Sequence, residues 1–406
     1  MRTAILFFVC VFNILIINCS NNGSLNPSDN DTTLAGEPIG VILPLTGDGP
    51  LDIVAQQAVL EIAVEDVNEY FKENGIDFTV RAEIYDSRNI FRGIQDALSY
   101  FEEENMKLVA CAGASQNVKD ALHDIQSFDG LFIHSTSTAP SLSLDDNLYR
   151  FIPDDSLTSQ EIAGKIWADS IKKIIILNRE DVWGDSLAGR IKRAYGDLGG
   201  ITDTAISYVA RLLPDCLSAS LDSVDARLTE ILSGANSEEV GLVVLCFNEI
   251  VDILKQASST TNLLDVSWYG SDGIVTNDLV LEDSLAGLNA AAVNLYRPVI
   301  SLEENPKLER VKTAVAAKIG YAPDVSSYLT YDVFFAAAMV RAKGRAGSLD
   351  SLEQCLSDIL TEDVFISGNI LLDSCGDRYG CSFDFYKVSD EGSGYSWIKA
   401  EDVVYE

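Results

Sequence analysis

The feature that most constrains the fold is a repeated pairing of a short, unbroken apolar run with a polar loop just beyond it. In the first half, Leu108-Val109-Ala110-Cys111 leads to Gly113-Ala114-Ser115, and Leu131-Phe132-Ile133 to Ser135-Thr136-Ser137-Thr138. In the second half, Ile174-Ile175-Ile176-Leu177 leads to Trp183-Gly184, and Val266-Ser267-Trp268-Tyr269 to Asp272-Gly273. Buried parallel strands read as continuous apolar runs, and ligands of open α/β sheets sit off their carboxyl ends. The chain is therefore expected to offer hydroxyls from one sheet and an aromatic plus a carboxylate from another. That set suits a small zwitterion in a cleft between two lobes.

The segments between the runs alternate in period. Val54, Ala58, Ile62, Val67 and Phe71 fall near one helical face, with Gly75 as a stop. Residues 39–43 and 78–85 read as strands, 90–101 as a helix, and 116–128 as a helix between two further strands. The alternation implies a parallel sheet with helices on both faces. It begins again after Phe151-Ile152-Pro153: helices at about 159–170, 187–198, 224–232 and 249–258 separate strands at 173–177, 206–209, 240–246 and 266–270. Pro306 to Ile319, with Pro in the first turn and Gly320 after the end, reads as a helix, as do 327–343 and 349–360. Residues 368–388 read as a hairpin.

At 406 residues, with 47% hydrophobic residues and a formal charge of −33, the chain is long enough for two domains and apolar enough to pack. Its mean hydropathy is +0.11. A chain so acidic repels phosphate backbones, so nucleic acid is not an expected partner. The N-terminus reads as a targeting segment: Arg2 precedes the apolar run Ala4 to Ile17, which is shorter than the roughly 20 residues of a membrane span. Residues 1–18 are read as a signal peptide. Cys19 follows where bacterial lipoprotein signals carry lipid, although Asn18 stands where that pattern has a small residue. Residues 19–36 read as a flexible tether.

Removing Cys10 and Cys19 leaves six cysteines, an even number in an exported chain. Of these, only Cys375 and Cys381 suggest their own pairing, across the turn-like Gly376-Asp377-Arg378-Tyr379-Gly380. There is no CxxC…CxxC pattern and only two histidines, so no metal site is expected. No cofactor motif is found: there is no P-loop and no Gly-x-Ser-x-Gly.

Ile39-Gly40-Val41-Ile42-Leu43-Pro44-Leu45-Thr46-Gly47, Ser137-Thr138-Ala139-Pro140, Tyr149-Arg150-Phe151, Trp183-Gly184, Gly270-Ser271-Asp272-Gly273 and Gly376-Asp377-Arg378 occur in that order. Together they resemble the type I periplasmic substrate-binding proteins, in particular the branched-chain amino-acid (Leu/Ile/Val) binding branch that serves ABC importers. The resemblance runs from about Glu37 to Trp397. It implies an α/β protein of two Rossmann-like lobes with parallel sheets, joined by three crossovers. Lobe 1 would comprise 37–153 plus 298–375, and lobe 2 154–297 plus 376–406. Ser115, Thr136 and Thr138 would hold a ligand carboxylate, Asp272 an ammonium, and Trp183 would wall the ligand where the family more often has Tyr. Phe247 would be a further aromatic contact, and Ser326 to Tyr328 a pocket wall.

The implied function is an extracytoplasmic, lipid-anchored, monomeric solute-binding protein. It would bind an amino acid or related small solute by lobe closure and deliver it to an ABC permease. The alternative is a ligand-sensing or regulatory lipoprotein of the same fold, such as a cell-wall synthase activator. Catalysis is not expected: pairs such as Asp154-Asp155 read as solvated charge at a helix end, not as groups converging in a pocket.

Overall fold

The structure is a computed structural model that describes residues 36–47, 51–210, 215–274, 278–344, 349–362, 364–392 and 394–400. The signal segment, the tether and Cys19 lie outside the described residues. No helix among those described is long and apolar enough to cross a membrane.

The first sheet contains β1 (Glu37–Leu43), β2 (Val80–Asp86), β3 (Leu108–Cys111), β4 (Leu131–His134), β5 (Leu148–Pro153), β11 (Leu371–Leu372) and β12 (Asp377–Tyr379), in the order β11-β12-β5-β4-β3-β1-β2. The second contains β6 (Lys173–Arg179), β7 (Ile201–Tyr208), β8 (Val240–Leu245), β9 (Ser267–Tyr269), β10 (Tyr296–Ser301), β13 (Ser382–Asp390) and β14 (Tyr395–Lys399), in the order β14-β13-β10-β9-β8-β6-β7. Both sheets have a parallel centre. The late strands add antiparallel pairs at one edge: β11 with β12, and β13 with β10 and β14. The two sheets thus repeat one strand order, as the restart of the apolar pattern after Pro153 leads one to expect.

Both faces of each sheet are covered, which is why β3, β4 and β8 are apolar without alternation and buried along their length. In lobe 1, α1 (Ile53–Glu73), α11 (Pro306–Ile319), α12 (Val325–Gly344) and α13 (Leu349–Ile359) cover one face, through Val59, Phe71, Val311 and Phe334. Helix α2 (Phe91–Glu103) and the short α3 (Ser115–Asp120) and α4 (Leu122–Ser127) cover the other, through Leu98, Phe101, Val118 and Ile125. In lobe 2, α7 (Asp215–Leu232), α8 (Ile250–Ala257), the short α9 (Asp278–Glu282) and α10 (Ser284–Ala292) lie on one face, and α5 (Asp155–Ala168) and α6 (Val182–Asp197) on the other. Local signals set the ends. Asn305 caps α11 ahead of Pro306, and Gly320 closes it at φ 89°, a left-handed value that a side chain would strain.

The segment expected to be one helix over 116–128 is two short helices that break at Ala121. The chain crosses between lobes three times, but two passages fall later than expected. Strand β10 keeps its place in the second sheet as far as Ser301, beyond the expected 297/298 boundary, because it pairs with β13 along its full length. Strand β12 belongs to the first sheet, where it pairs with β5, so the last passage lies at 380–381 and not at 375/376.

The same pairing corrects the expected disulfide. The hairpin joins β11 to β12 only; β13 departs into the other sheet. Cys375 lies in the turn before β12 and Cys381 just after it, with an extended three-residue strand of about 10 Å between them, and both are free thiols. We expect both to be alkylated by iodoacetamide without reductant, read as two added carbamidomethyl groups on the peptides that contain them. Protection of both until reduction would show that they pair.

One buried ion pair ties the late hairpin to lobe 1. Arg150 on β5 donates through Nε and Nη2 to the two carboxylate oxygens of Asp377 on β12, both at 2.5 Å. Its Nη1 donates to the carbonyl oxygens of Ala139 at 2.9 Å and Ser137 at 3.3 Å. Arg150 therefore also fixes the loop that follows β4.

Candidate functional site

Parallel strands aim their carboxyl ends the same way, so the loops after them collect at one edge of each sheet. In this chain those edges face each other. The loops after β3, β4 and β5 and those after β6, β8 and β9 line one cleft of about 830 Å³, counted to its open mouth. Ser115, Thr136, Thr138, Trp183, Phe247 and Asp272 all line it. The structure thus brings together all six residues singled out from the sequence, along with Ser326. It adds Asp324, Leu51, Thr158 and the apolar Val299, Ile300 and Phe383. The lobes also touch beside it: the Val182 N–H at the start of α6 donates to Gln116 Oε1 on α3 at 3.0 Å.

The hydroxyl loop of lobe 1 is shaped from within. His134 is fully buried, and its Nδ1 accepts from the N–H groups of Thr136 at 3.1 Å and Ser137 at 3.0 Å. Burial, with Arg150 nearby, lowers its pKa to about 3, so the imidazole is neutral and serves as an acceptor. Thr136 Oγ1 accepts from the Gly113 N–H at 2.9 Å and donates to the Gly113 carbonyl at 3.1 Å, which joins the two loops and commits its proton. Ser115 Oγ accepts from Ser137 Oγ at 3.1 Å and from the Ala139 N–H at 3.2 Å, which leaves its own proton for the cleft. Thr138 donates to Asp155 Oδ2 at 3.1 Å and faces the cleft with a lone pair. Of the three hydroxyls, Ser115 alone retains a proton to donate.

The aromatic wall belongs to lobe 2. Asp181 caps α6, accepting from the Gly184 N–H at 2.8 Å, which sets Trp183 in the first turn. Trp183 is 4% exposed and stacks on Phe247 with ring centroids 4.6 Å apart. Phe247 is held in turn by Arg179, whose guanidinium lies 4.1 Å from its ring centroid and donates to Glu249 at 2.7 Å. Gly273 lets this pair approach: a Cβ there would lie 2.7 Å from the Trp183 ring and 2.6 Å from the Cys246 carbonyl.

Two carboxylates line the cleft, Asp272 and Asp324, and a third, Asp155, lies behind the lining Thr138. Burial raises the Asp272 pKa to about 6 against the opposing effect of the Asp272 and Gly273 N–H groups, and the charge on Asp324 adds to the rise. Asp324 is raised by burial and opposed by Arg297, 3.9 Å away; its carboxylate also accepts from the Ser326 N–H at 2.9 Å. Asp155 is fully buried, and its pKa is raised well above the carboxylate range, first by burial and then by the charge on Asp272. The solvated charge expected at Asp154-Asp155 is thus only half right. Asp154 is the helix cap, whereas Asp155, one residue on, turns inward behind Thr138. The signal missed in the sequence was the cap itself: once Asp154 caps α5, the next residue enters the helix on the lobe side. Among the described residues, no Lys or Arg lines the cleft.

No protein-family model matches the chain. An uncharacterized protein of Methanocaldococcus jannaschii is 22% identical over 406 residues, covering 95% of this chain and 94% of that protein. Among solved structures, the leucine-binding protein LivK of Thermotoga maritima superposes with TM-score 0.67 at 16% identity, over 89% of this chain and 97% of LivK. The branched-chain amino-acid binding protein LivJ of Streptococcus pneumoniae, in complex with isoleucine, gives 0.68 at 17% identity, over 90% of this chain and all of LivJ. A Rhodopseudomonas palustris solute-binding protein in complex with benzoate gives 0.66 at 12% identity, over 90% of this chain and 96% of that one. These likenesses establish the fold as the two-lobed α/β fold of the type I periplasmic binding proteins.

Proposed function

We propose that the chain is an extracytoplasmic solute-binding protein that closes its lobes on a small, ammonium-bearing solute and hands it to an ABC importer, without chemistry of its own. The observation that carries this reading is the cleft. Groups from both lobes converge on it, and the half-buried Asp272 carboxylate faces hydroxyls and a Trp183–Phe247 wall. Closure is favoured when one ligand contacts both lobes, since its binding energy then goes to the closed state alone. The solved structures that share the fold bind amino acids or benzoate, which supports the general role and leaves the ligand to be identified from this cleft. A cleft with no Lys or Arg among the described residues of its walls suits an aromatic acid poorly. Anchoring through Cys19 and action as a monomer are part of the same reading.

The test is titration calorimetry of the purified chain against the common amino acids. Saturable heat with one or a few of them is expected; no heat with any would overturn the reading. The pH response has a definite sign. A ligand ammonium needs Asp272 ionised, and the group titrates at about 6 in the free cleft, among Asp155, Asp324 and Arg297. Affinity should be flat above pH 7 and weaker by about tenfold at pH 5, where roughly one carboxylate in eleven is charged. The stability of the ligand-free protein should respond oppositely. The raised pKa of Asp272 makes a contribution that is complete below the unfolded value near 4 and lost as pH rises through 6. Affinity that is constant from pH 8 to 5 would remove Asp272 from the ligand contact.

A further inference from the structure

Among the described residues the cleft is lined by two carboxylates, Asp272 and Asp324, and by no Lys or Arg, with a third carboxylate, Asp155, behind it. Asp324 has the Arg297 guanidinium at 3.9 Å and the Ser326 N–H at 2.9 Å. Asp272 has no guanidinium beside it, only its own N–H and that of Gly273 to oppose its burial, and Asp155 has the Thr138 hydroxyl and the more distant charge of Arg150. Oδ1 of each is buried and without a hydrogen-bond partner among the described residues. Asp155 is 0% exposed and sits between the lining residues Pro153 and Thr158, with its other oxygen against the hydroxyl of the lining Thr138. Buried carboxylate oxygens are normally paired, and two orphans, one in the lining of the cleft and one directly behind Thr138, need explaining.

Arg150 does not answer for Asp155, since its donors are taken by Asp377 and by the loop carbonyls of Ser137 and Ala139. Nor is a metal ion the natural occupant: among the described residues no group of three or more His, Cys, Asp or Glu side chains could hold one. Two separate acceptor points suit two separate ammonium-type groups. Thr138 strengthens the second point, because donation to Asp155 leaves its oxygen to accept. Trp183 stacked on Phe247 gives a face that suits an alkyl linker or a cation.

We propose that the cleft selects a small solute carrying two cationic nitrogens, one held by Asp272 and the other by Asp155 with the Thr138 hydroxyl. This rests on the solute-binding reading above and names the class of solute. Diamino acids and plain diamines share the required chemistry. Only the former present a carboxylate, for which the Ser115 proton is available.

The experiment is calorimetric titration of the full chain at pH 7.5 with L-lysine, L-ornithine, putrescine and L-leucine, repeated on Asp155→Asn and Thr138→Val. At least one of the three dications should bind at least about tenfold more tightly than leucine. Tight binding of lysine or ornithine without putrescine marks a diamino acid; tight binding of putrescine marks a diamine. Asp155→Asn should bring the dication-to-leucine affinity ratio to within about twofold, and Thr138→Val should move it the same way. If one variant fails to fold, the other carries the test, with thermal melting as the check. Leucine that binds as tightly as every dication would overturn this inference, and Asp155 would then hold a proton of its own, while the solute-binding reading would stand. A preference for dications that survives both substitutions would overturn the assignment to Asp155. No binding of any of the four solutes or of the common amino acids would overturn both readings.

Discussion

Asp272→Ala is expected to weaken ligand binding thirtyfold or more, and up to several thousandfold, while the ligand-free protein melts at the same or a higher temperature. The two halves of this result have one cause. Asp272 is half-buried with its Oδ1 enclosed, and its pKa is raised to about 6, so the fold bears a cost to keep it charged at neutral pH. Removing it relieves that cost in the free protein. In the complex its loss leaves the ligand ammonium desolvated and without a counter-charge, a defect of about 2–5 kcal/mol. Asp272→Asn separates charge from shape, because the amide keeps the volume and one acceptor but no charge; it should fall close to the alanine variant. Calorimetry for affinity and a melting curve without ligand check the two halves independently. An Asp272→Ala protein that binds as tightly as the original would return Asp272 to the role of a turn residue.

Arg150→Met is expected to be the most destabilising single substitution considered for this chain. The guanidinium is fully buried and meets Asp377 with two hydrogen bonds of 2.5 Å. Met fills most of the volume but leaves the Asp377 carboxylate buried and unpaired, and breaking such a pair from one side costs about 3–5 kcal/mol. Against the 5–15 kcal/mol that typically holds a domain, this is a large share. The melting temperature of lobe 1 should fall by roughly 6–20 °C. Differential scanning calorimetry is the suitable measurement, because it resolves transitions of single lobes wherever they separate, and the transition that contains lobe 1 should move most. Arg150→Met combined with Asp377→Leu should recover much of the loss, because no charge is then stranded. Binding should weaken in the single variant as well, since Arg150 also holds the carbonyls of Ser137 and Ala139 beside the cleft. A melting curve unchanged by Arg150→Met would show that the pair contributes nothing net.

The parts of the fold that could be read directly are those set by local chemistry. Strands buried on both faces must be apolar throughout, so β3, β4, β6 and β8 stand out as runs. Helix α11 is bounded by an Asn cap, a Pro in the first turn and a left-handed Gly, and its observed limits are Pro306 and Ile319, as read. The late strands were less legible. Residues 371–399 are short, mixed in polarity and divided between two sheets, and no local signal tells a strand which edge it will join. That is why the sequence places the crossovers early and suggests a Cys375–Cys381 pair across what is a strand and a passage between lobes.

The sequence by itself determined which residues could reach a cleft, because a polar loop after a buried parallel strand has one place to go. Ser115, Thr136, Thr138, Trp183, Phe247 and Asp272 follow from that rule with the family pattern, and all six line the observed cleft. Only the tertiary structure decided what each of them offers. A hydroxyl donates or accepts according to its neighbours: the Gly113 carbonyl takes the hydroxyl proton of Thr136 and Asp155 that of Thr138, while His134 holds their loop through the backbone N–H groups of Thr136 and Ser137. A carboxylate is solvated or buried according to the helix it enters, and Asp155 is buried because Asp154 takes the cap. These are contacts between residues far apart in the chain, and their energies depend on burial, which a linear pattern of residue types does not contain.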